Sequence, residues 1–217
     1  MATPSASTPP QDRPGHGLRD DLIALAGTPD DNSGVPGLLR SIVQYAADLL
    51  PPVSYASVTT HEEGSYATVA MSSEVALAVD DAQYADGTGP CLDTLQTSDP
   101  VAVPRIDATV KWPGFRSAAR RLGLRASLSI PLAAGRGVSI AALNLYGRDA
   151  AAMAPLSAAV LATFESTGED GLEARLGDLG SGPLELIEGL IGASRVRAEI
   201  QRALGMIMAT KRTNTNK

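Results

Sequence analysis

At Pro51-Pro52 the spacing of apolar residues switches from a helical repeat to an extended one, so the fold must combine helices with a sheet. Upstream, Val35–Leu50 places Leu38, Leu39, Ile42, Val43, Ala46 and Leu49 on one helical face. The two prolines end that helix, because proline has no amide donor and disfavours helix in the residue before it. Downstream, Val53–Thr60 and Tyr66–Met71 are short, rich in Val, Thr and Tyr, and separated by the hairpin-like break HEEGS. The pattern then predicts a helix around Glu74–Tyr84, a Gly-rich turn over Asp86–Pro90 and a short helix from Cys91 to Gln96. A strand over Val101–Ile106, a helix over Trp112–Leu122, strands over Ala126–Ala133 and Val138–Tyr146, and a helix starting near Pro155 follow. Hairpins flanking a helical insertion predict an α+β fold, an antiparallel sheet with helices packed on it. Aromatic residues make up only 4% of the chain, so Ala, Val, Leu and Ile must fill the core.

The two ends read differently from this centre. Residues 1–17 are rich in Pro, Ser, Thr and Gly and are expected to be disordered, with a short helix over Leu18–Ala26 completing an N-terminal arm over 1–34. The sheet unit is expected over 35–176, and GDLGSGP (177–183) reads as a linker. Beyond it, Leu184–Met208 lacks proline and places Ile200, Ala203, Leu204, Ile207 and Met208 in one stripe, while the closing TKRTNTNK should fray. An apolar stripe on a protruding helix has to be covered, by a second copy or by further helices. Formal charge is −6 overall, yet the segment from Arg195 onward carries +5, leaving −11 before it. A basic end on an acidic body suits contact with a polyanion, or simply a solvated helix end.

Several chemistries are excluded on residue content. One cysteine, Cys91, rules out an internal disulfide and a Cys-rich zinc site, and two histidines leave little for a metal centre; no cofactor is implied. Neither GxSxG nor HExxH occurs, and the acid pairs Glu62-Glu63 and Asp80-Asp81 are sequence neighbours expected in loops or on the surface, so no enzyme is expected. The N-terminus lacks the basic start and apolar core of a secretory signal, and no apolar run reaches the roughly 18 residues of a membrane span. A cytoplasmic protein without a membrane partner is the expectation.

Three blocks, QYADGTGPCLDTL (83–95), KWPGFRSAARRLGLRASLSIPL (111–132) and AALNLYGR (141–148), closely resemble the GAF domains of actinobacterial regulators. In that family a GAF domain is followed by an ANTAR module, which acts in transcription antitermination by binding RNA. The run Arg197-x-x-Ile200-x-x-Ala203-x-Gly205-x-x-Met208 resembles the first helix of ANTAR, with Leu204 where the family usually has lysine. The resemblance therefore implies a GAF-like sensor followed by an incomplete ANTAR-like module over 184–217, whose further helices would lie beyond Lys217. It implies a signal-sensing regulator that dimerises through its terminal helices and contacts an RNA hairpin through Arg197, Arg202, Lys211 and Arg212. The alternative is a stand-alone GAF module for small-molecule binding or dimerisation, with no nucleic-acid role.

GAF domains hold small molecules between the sheet and the helical insertion, and the resemblance places Tyr55, Tyr84, Cys91, Phe115, Ser129 and Asn144 there. The same residues would equally serve as core. Cys91 follows Gly89-Pro90 at a helix start, where free amides would favour a reactive thiolate; the competing reading is a small buried residue. Cysteine chemistry of the GAF-fold methionine-sulfoxide reductase kind is disfavoured, since no resolving cysteine accompanies it. Gly87 and Gly89 fit no phosphate-loop pattern and are expected to permit positive φ, and Trp112-Pro113 should anchor its helix.

Overall fold

The computed structural model describes residues 17–62, 64–135, 138–165 and 179–214. Its five strands form one antiparallel sheet in the order β2-β1-β5-β4-β3. They are β1 (Tyr55–Glu62), β2 (Ser65–Met71), β3 (Val101–Val103), β4 (Ala126–Ala134) and β5 (Val138–Gly147). The hairpin β1–β2 is longer than the composition suggests, taking in His61 and Glu62. The third strand is shorter. Pro104 has no amide to continue the ladder, and the chain turns into a 3-10 turn over Ile106–Ala108 instead of extending to Ile106.

Alternation along the strands gives the sheet two unlike faces. Ala56 and Val58 of β1, Leu143 and Leu145 of β5, and Leu128 and Ile130 of β4 share one face and are fully buried. Against this apolar face lie α1 (Leu18–Gly27), α2 (Val35–Leu49), α6 (Ala150–Phe164) and the start of α7 (Ser181–Asn214). The opposite face is covered by α3 (Glu74–Asp86), α4 (Pro90–Thr97) and α5 (Pro113–Arg121).

Caps explain most helix limits. Ser73 accepts a hydrogen bond from the amide of Val75 at the start of α3, and Gly87 ends that helix with φ 63°, the left-handed cap that glycine adopts without strain. Asp149 accepts from the amides of Ala151 and Ala152 and starts α6 at Ala150, five residues before Pro155. Proline was the expected start; here it sits on the exposed side of the second turn.

The last helix departs furthest from expectation. Helix α7 begins at Ser181, so residues 181–183 of the expected linker are its first turn, where Pro183 is tolerated because early amides have no intrahelical partner. The expected fraying after Met208 is also corrected: the backbone stays helical through Asn214. Leu186, Ile187 and Leu190 are core residues. Helices α1 and α7 run parallel, with Gly17 beside Glu185, Arg19 beside Glu188, Ile23 beside Gly192 and Gly27 beside Val196. Past that point α7 projects, and Met206, Ile207 and Met208 are exposed by 54–69%.

Candidate functional site

The face beneath α3 and α4 is lined by hydroxyls and amides. Strand pairing sets Ser57, Asn144 and Ser129 side by side across β1, β5 and β4, with Tyr55, Tyr146 and Ser127 in the neighbouring row. Thr59 and Thr68 are paired on β1 and β2. Into this surface α3 inserts Asp80 and Gln83, which follow Ala76 and Val79 on its inner stripe.

A continuous hydrogen-bond network results. Tyr146 Oη donates to Asp80 Oδ1 at 2.5 Å and Thr68 Oγ1 donates to Asp80 Oδ2 at 2.9 Å. Asn144 Nδ2 donates to Thr59 Oγ1 at 2.9 Å, and its Oδ1 accepts from Ser129 Oγ at 2.9 Å. The Tyr84 hydroxyl lies 2.9 Å from Thr59 Oγ1 and 2.7 Å from Thr68 Oγ1. Gln83 reaches Tyr146 Oη with its amide nitrogen and accepts the Cys91 amide at 3.1 Å with its oxygen. Gly89 is explained by this last contact rather than by positive φ: its φ is 171°, and a Cβ there would lie 2.2 Å from Gln83 Oε1. Only glycine lets the Gln83 amide lie across the start of α4.

Asp80 governs the electrostatics. It is 0% exposed, and among the described residues no cation pairs with it. Burial pushes its carboxyl up to about 6, opposed by the hydrogen bonds from Tyr146, Ser57 and Thr68. The expectation that Asp80-Asp81 lies in a loop or on the surface holds for Asp81 and is corrected for Asp80.

The reactive-thiolate reading of Cys91 is also overturned. Its side chain is buried, and burial followed by the nearby Asp80 charge raises the thiol well above its usual value, outweighing the amides of the helix start. Cys91 in the folded chain is expected to resist a thiol reagent such as DTNB at pH 8 and to react at once in denaturant. Rapid modification of the native protein would contradict the buried placement.

Of the residues singled out from the sequence, Tyr84, Ser129 and Asn144 belong to the network, and Cys91 joins it through its backbone. Phe115 is fully buried in the apolar cluster beside it, against Trp112, whose ring meets it edge-on at 6.4 Å. Tyr55 stands at the margin, its hydroxyl accepting from Arg148 at 2.7 Å. The sequence reading missed Ser57, Thr59, Thr68, Asp80, Gln83 and Tyr146. The 76/79/80/83 spacing in α3 was the available signal for two of them. Ser127 Oγ and Trp112 Nε1, on the same side of the sheet, are buried without a hydrogen-bond partner among the described residues. Arg197 and Arg202 are exposed on α7, while the side chains of Lys211 and Arg212 lie outside the described residues.

The architecture is an antiparallel sheet whose polar face is closed over by a helical insertion, with a helical layer and a long terminal helix behind it. Residues 32–171 match the family model described as GAF domain, and the chain belongs to the GAF domain family. The matched span ends before α7. Similar solved structures include a domain of a two-component sensor histidine kinase protein from Sinorhizobium meliloti, with 13% identity and TM-score 0.46, covering 79% of this chain and 93% of that one. The GAF domain of a phosphoenolpyruvate-protein phosphotransferase from Coxiella burnetii has 14% identity and TM-score 0.44, covering 87% and 93% respectively. A type II free methionine-R-sulfoxide reductase from Thermoplasma acidophilum has 14% identity and TM-score 0.41, covering 77% and 94%. No curated protein matches the chain. No helix among the described residues is long and apolar enough to cross a membrane, and no group of three or more potential metal ligands occurs among them.

Proposed function

We propose that the chain is a signal-sensing regulator in which the polar layer under α3 and α4 opens into a chamber for a small molecule rich in hydrogen-bond donors, with Asp80 as its principal acceptor. The carrying observation is a buried carboxylate held by neutral hydroxyls and the Asn144 amide, with no cation beside it among the described residues, a costly arrangement that a purely structural core would avoid. Tyr84, Ser129 and Asn144 supply neighbouring hydrogen bonds, Cys91 and Phe115 supply walls, and Tyr55 stands at the rim. Entry requires α3 and α4 to move, because Asp80, Gln83, Cys91 and Asn144 are completely covered by protein atoms. In a melting-temperature screen of small amines and polyols, at least one compound is expected to stabilise the native chain and to lose that effect in Asp80→Asn. Equal responses of both proteins across the panel would remove the assignment.

The output half of the proposal is the GAF–ANTAR one, in which α7 contacts an RNA hairpin through Arg197, Arg202, Lys211 and Arg212 in antitermination, as a homodimer in the cytoplasm. It is supported by the basic character of the projecting helix. A mobility shift of hairpin RNA should weaken in Arg197→Ala/Arg202→Ala, and no shift at any protein concentration would leave the stand-alone GAF module. That second reading is favoured by exposed Met206, Ile207 and Met208, which suit a helix-to-helix contact between two copies.

A further inference from the structure

On the apolar side of the sheet, remote from the chamber, a cavity of about 220 Å³ opens between α1, β4, α6 and the stretch of α7 just before it projects. Its lining mixes apolar side chains, Leu22, Leu25, Phe164 and Leu190 among them, with the polar Thr163 and Ser194, and among the described residues Arg197 is the one charged residue there. Leu22, Leu25 and Leu132 are nearly fully buried and form its floor, while the half-buried Phe164, Ile191 and Ala193 present the accessible apolar surface. The Arg197 side chain has no ion pair or hydrogen bond among the described residues. A cavity of about 150 Å³ already admits a benzene-sized body, and this one, partly open to solvent, has room for a somewhat larger one.

We propose that this cavity is a second ligand site, for a small amphiphilic carboxylate: a short alkyl or aryl body among the leucines, with its anionic head on the Arg197 guanidinium. The apolar part of the lining supplies burial for the body, and the Arg197 guanidinium, exposed at the edge of the cavity, favours a planar carboxylate over a neutral head group. Because the walls come from both the sensor layer and the root of α7, an occupied cavity ties that root to β4 and α6. It also engages Arg197, so ligand and RNA would compete for this side chain. The site shares no residue with the polar chamber, and either assignment can fail without the other.

The test titrates the full chain with sodium octanoate, and with octanol as the uncharged counterpart, by calorimetry and by methyl NMR. Octanoate should bind at least about tenfold more tightly than octanol, the worth of one charge-assisted contact, with shifts at Leu22, Leu132 and Leu190. Arg197→Gln should cut octanoate affinity to the octanol level and leave octanol unchanged. Ala193→Phe, which fills the cavity from α7, should abolish both. No octanoate binding, shifts confined to other residues, or equal octanoate affinity in Arg197→Gln would overturn the proposal; an unchanged far-ultraviolet spectrum in each variant shows that folding is intact.

Discussion

Asp80→Asn is expected to be more stable than the native chain near neutral pH and to lose that advantage in mild acid. The folded carboxyl titrates at about 6 and an unfolded one at 3.8. The folded state thus holds the proton more tightly, and the stability this contributes is complete below the unfolded value. It drains away as pH rises through about 4 to 6 and is gone above. Across that window the native chain loses about 3 kcal/mol from this one group. Asparagine fits the same space, and the hydroxyls of Thr68 and Tyr84 can each donate or accept, so the network can reverse direction around it. Denaturant unfolding at several pH values checks this: a difference between the two proteins that stays flat from mild acid to neutrality would show that Asp80 ionises like an exposed carboxylate. A side chain whose removal improves stability is one retained for another purpose, and the chamber is where that purpose lies.

Gly182→Ala is expected to cost about 3 kcal/mol and to lower the melting temperature by roughly 6–12 °C. A Cβ at Gly182 would fall 1.7 Å from the carbonyl oxygen of Leu49 and 2.6 Å from its carbon, and neither backbone atom can swing aside. Helix α7 would have to lift from the end of α2, drawing Leu186 and Ile187 out of the core. The same exchange at Gly205 meets nothing within 4 Å and should strengthen the helix by about 0.5–1 kcal/mol, since alanine favours helix over glycine. Thermal unfolding of both variants decides the matter, and equal effects at the two glycines would show that α7 is not seated on α2. Gly189 has a related role, because a Cβ there would press on Leu22 and on the Cα of Arg19.

What the sequence disclosed follows from the range of the forces involved. Strand alternation and helical stripes are local, and the elements they indicate are present, some with limits shifted by a cap or a proline, as at Asp149 and Pro104. The chamber was half visible. Tyr84, Ser129 and Asn144 came with family-like blocks, whereas Ser57 and Thr59 looked like ordinary β-formers until strand pairing set Ser57 beside Asn144. Asp80 was misread because an acid next to another acid suggests solvent; its helical phase, shared with Ala76, Val79 and Gln83, pointed inward. The seat of α7 was hidden for a different reason. Leu186, Ile187 and Leu190 lie on a helix expected to protrude beyond a linker, and only contact with α1, over a hundred and fifty positions earlier, makes them core.

The uninterrupted backbone of the 34-residue final helix has a mechanical consequence. From Arg197 to Asn214 it reaches about 25 Å past its seat, so a swing of about 10° at the base carries the tip roughly 4 Å. Sub-ångström repacking among glycines and leucines at the foot therefore becomes a displacement at the far end large enough to make or break a shared surface. The amplification needs no hinge, only a rod gripped at one extremity.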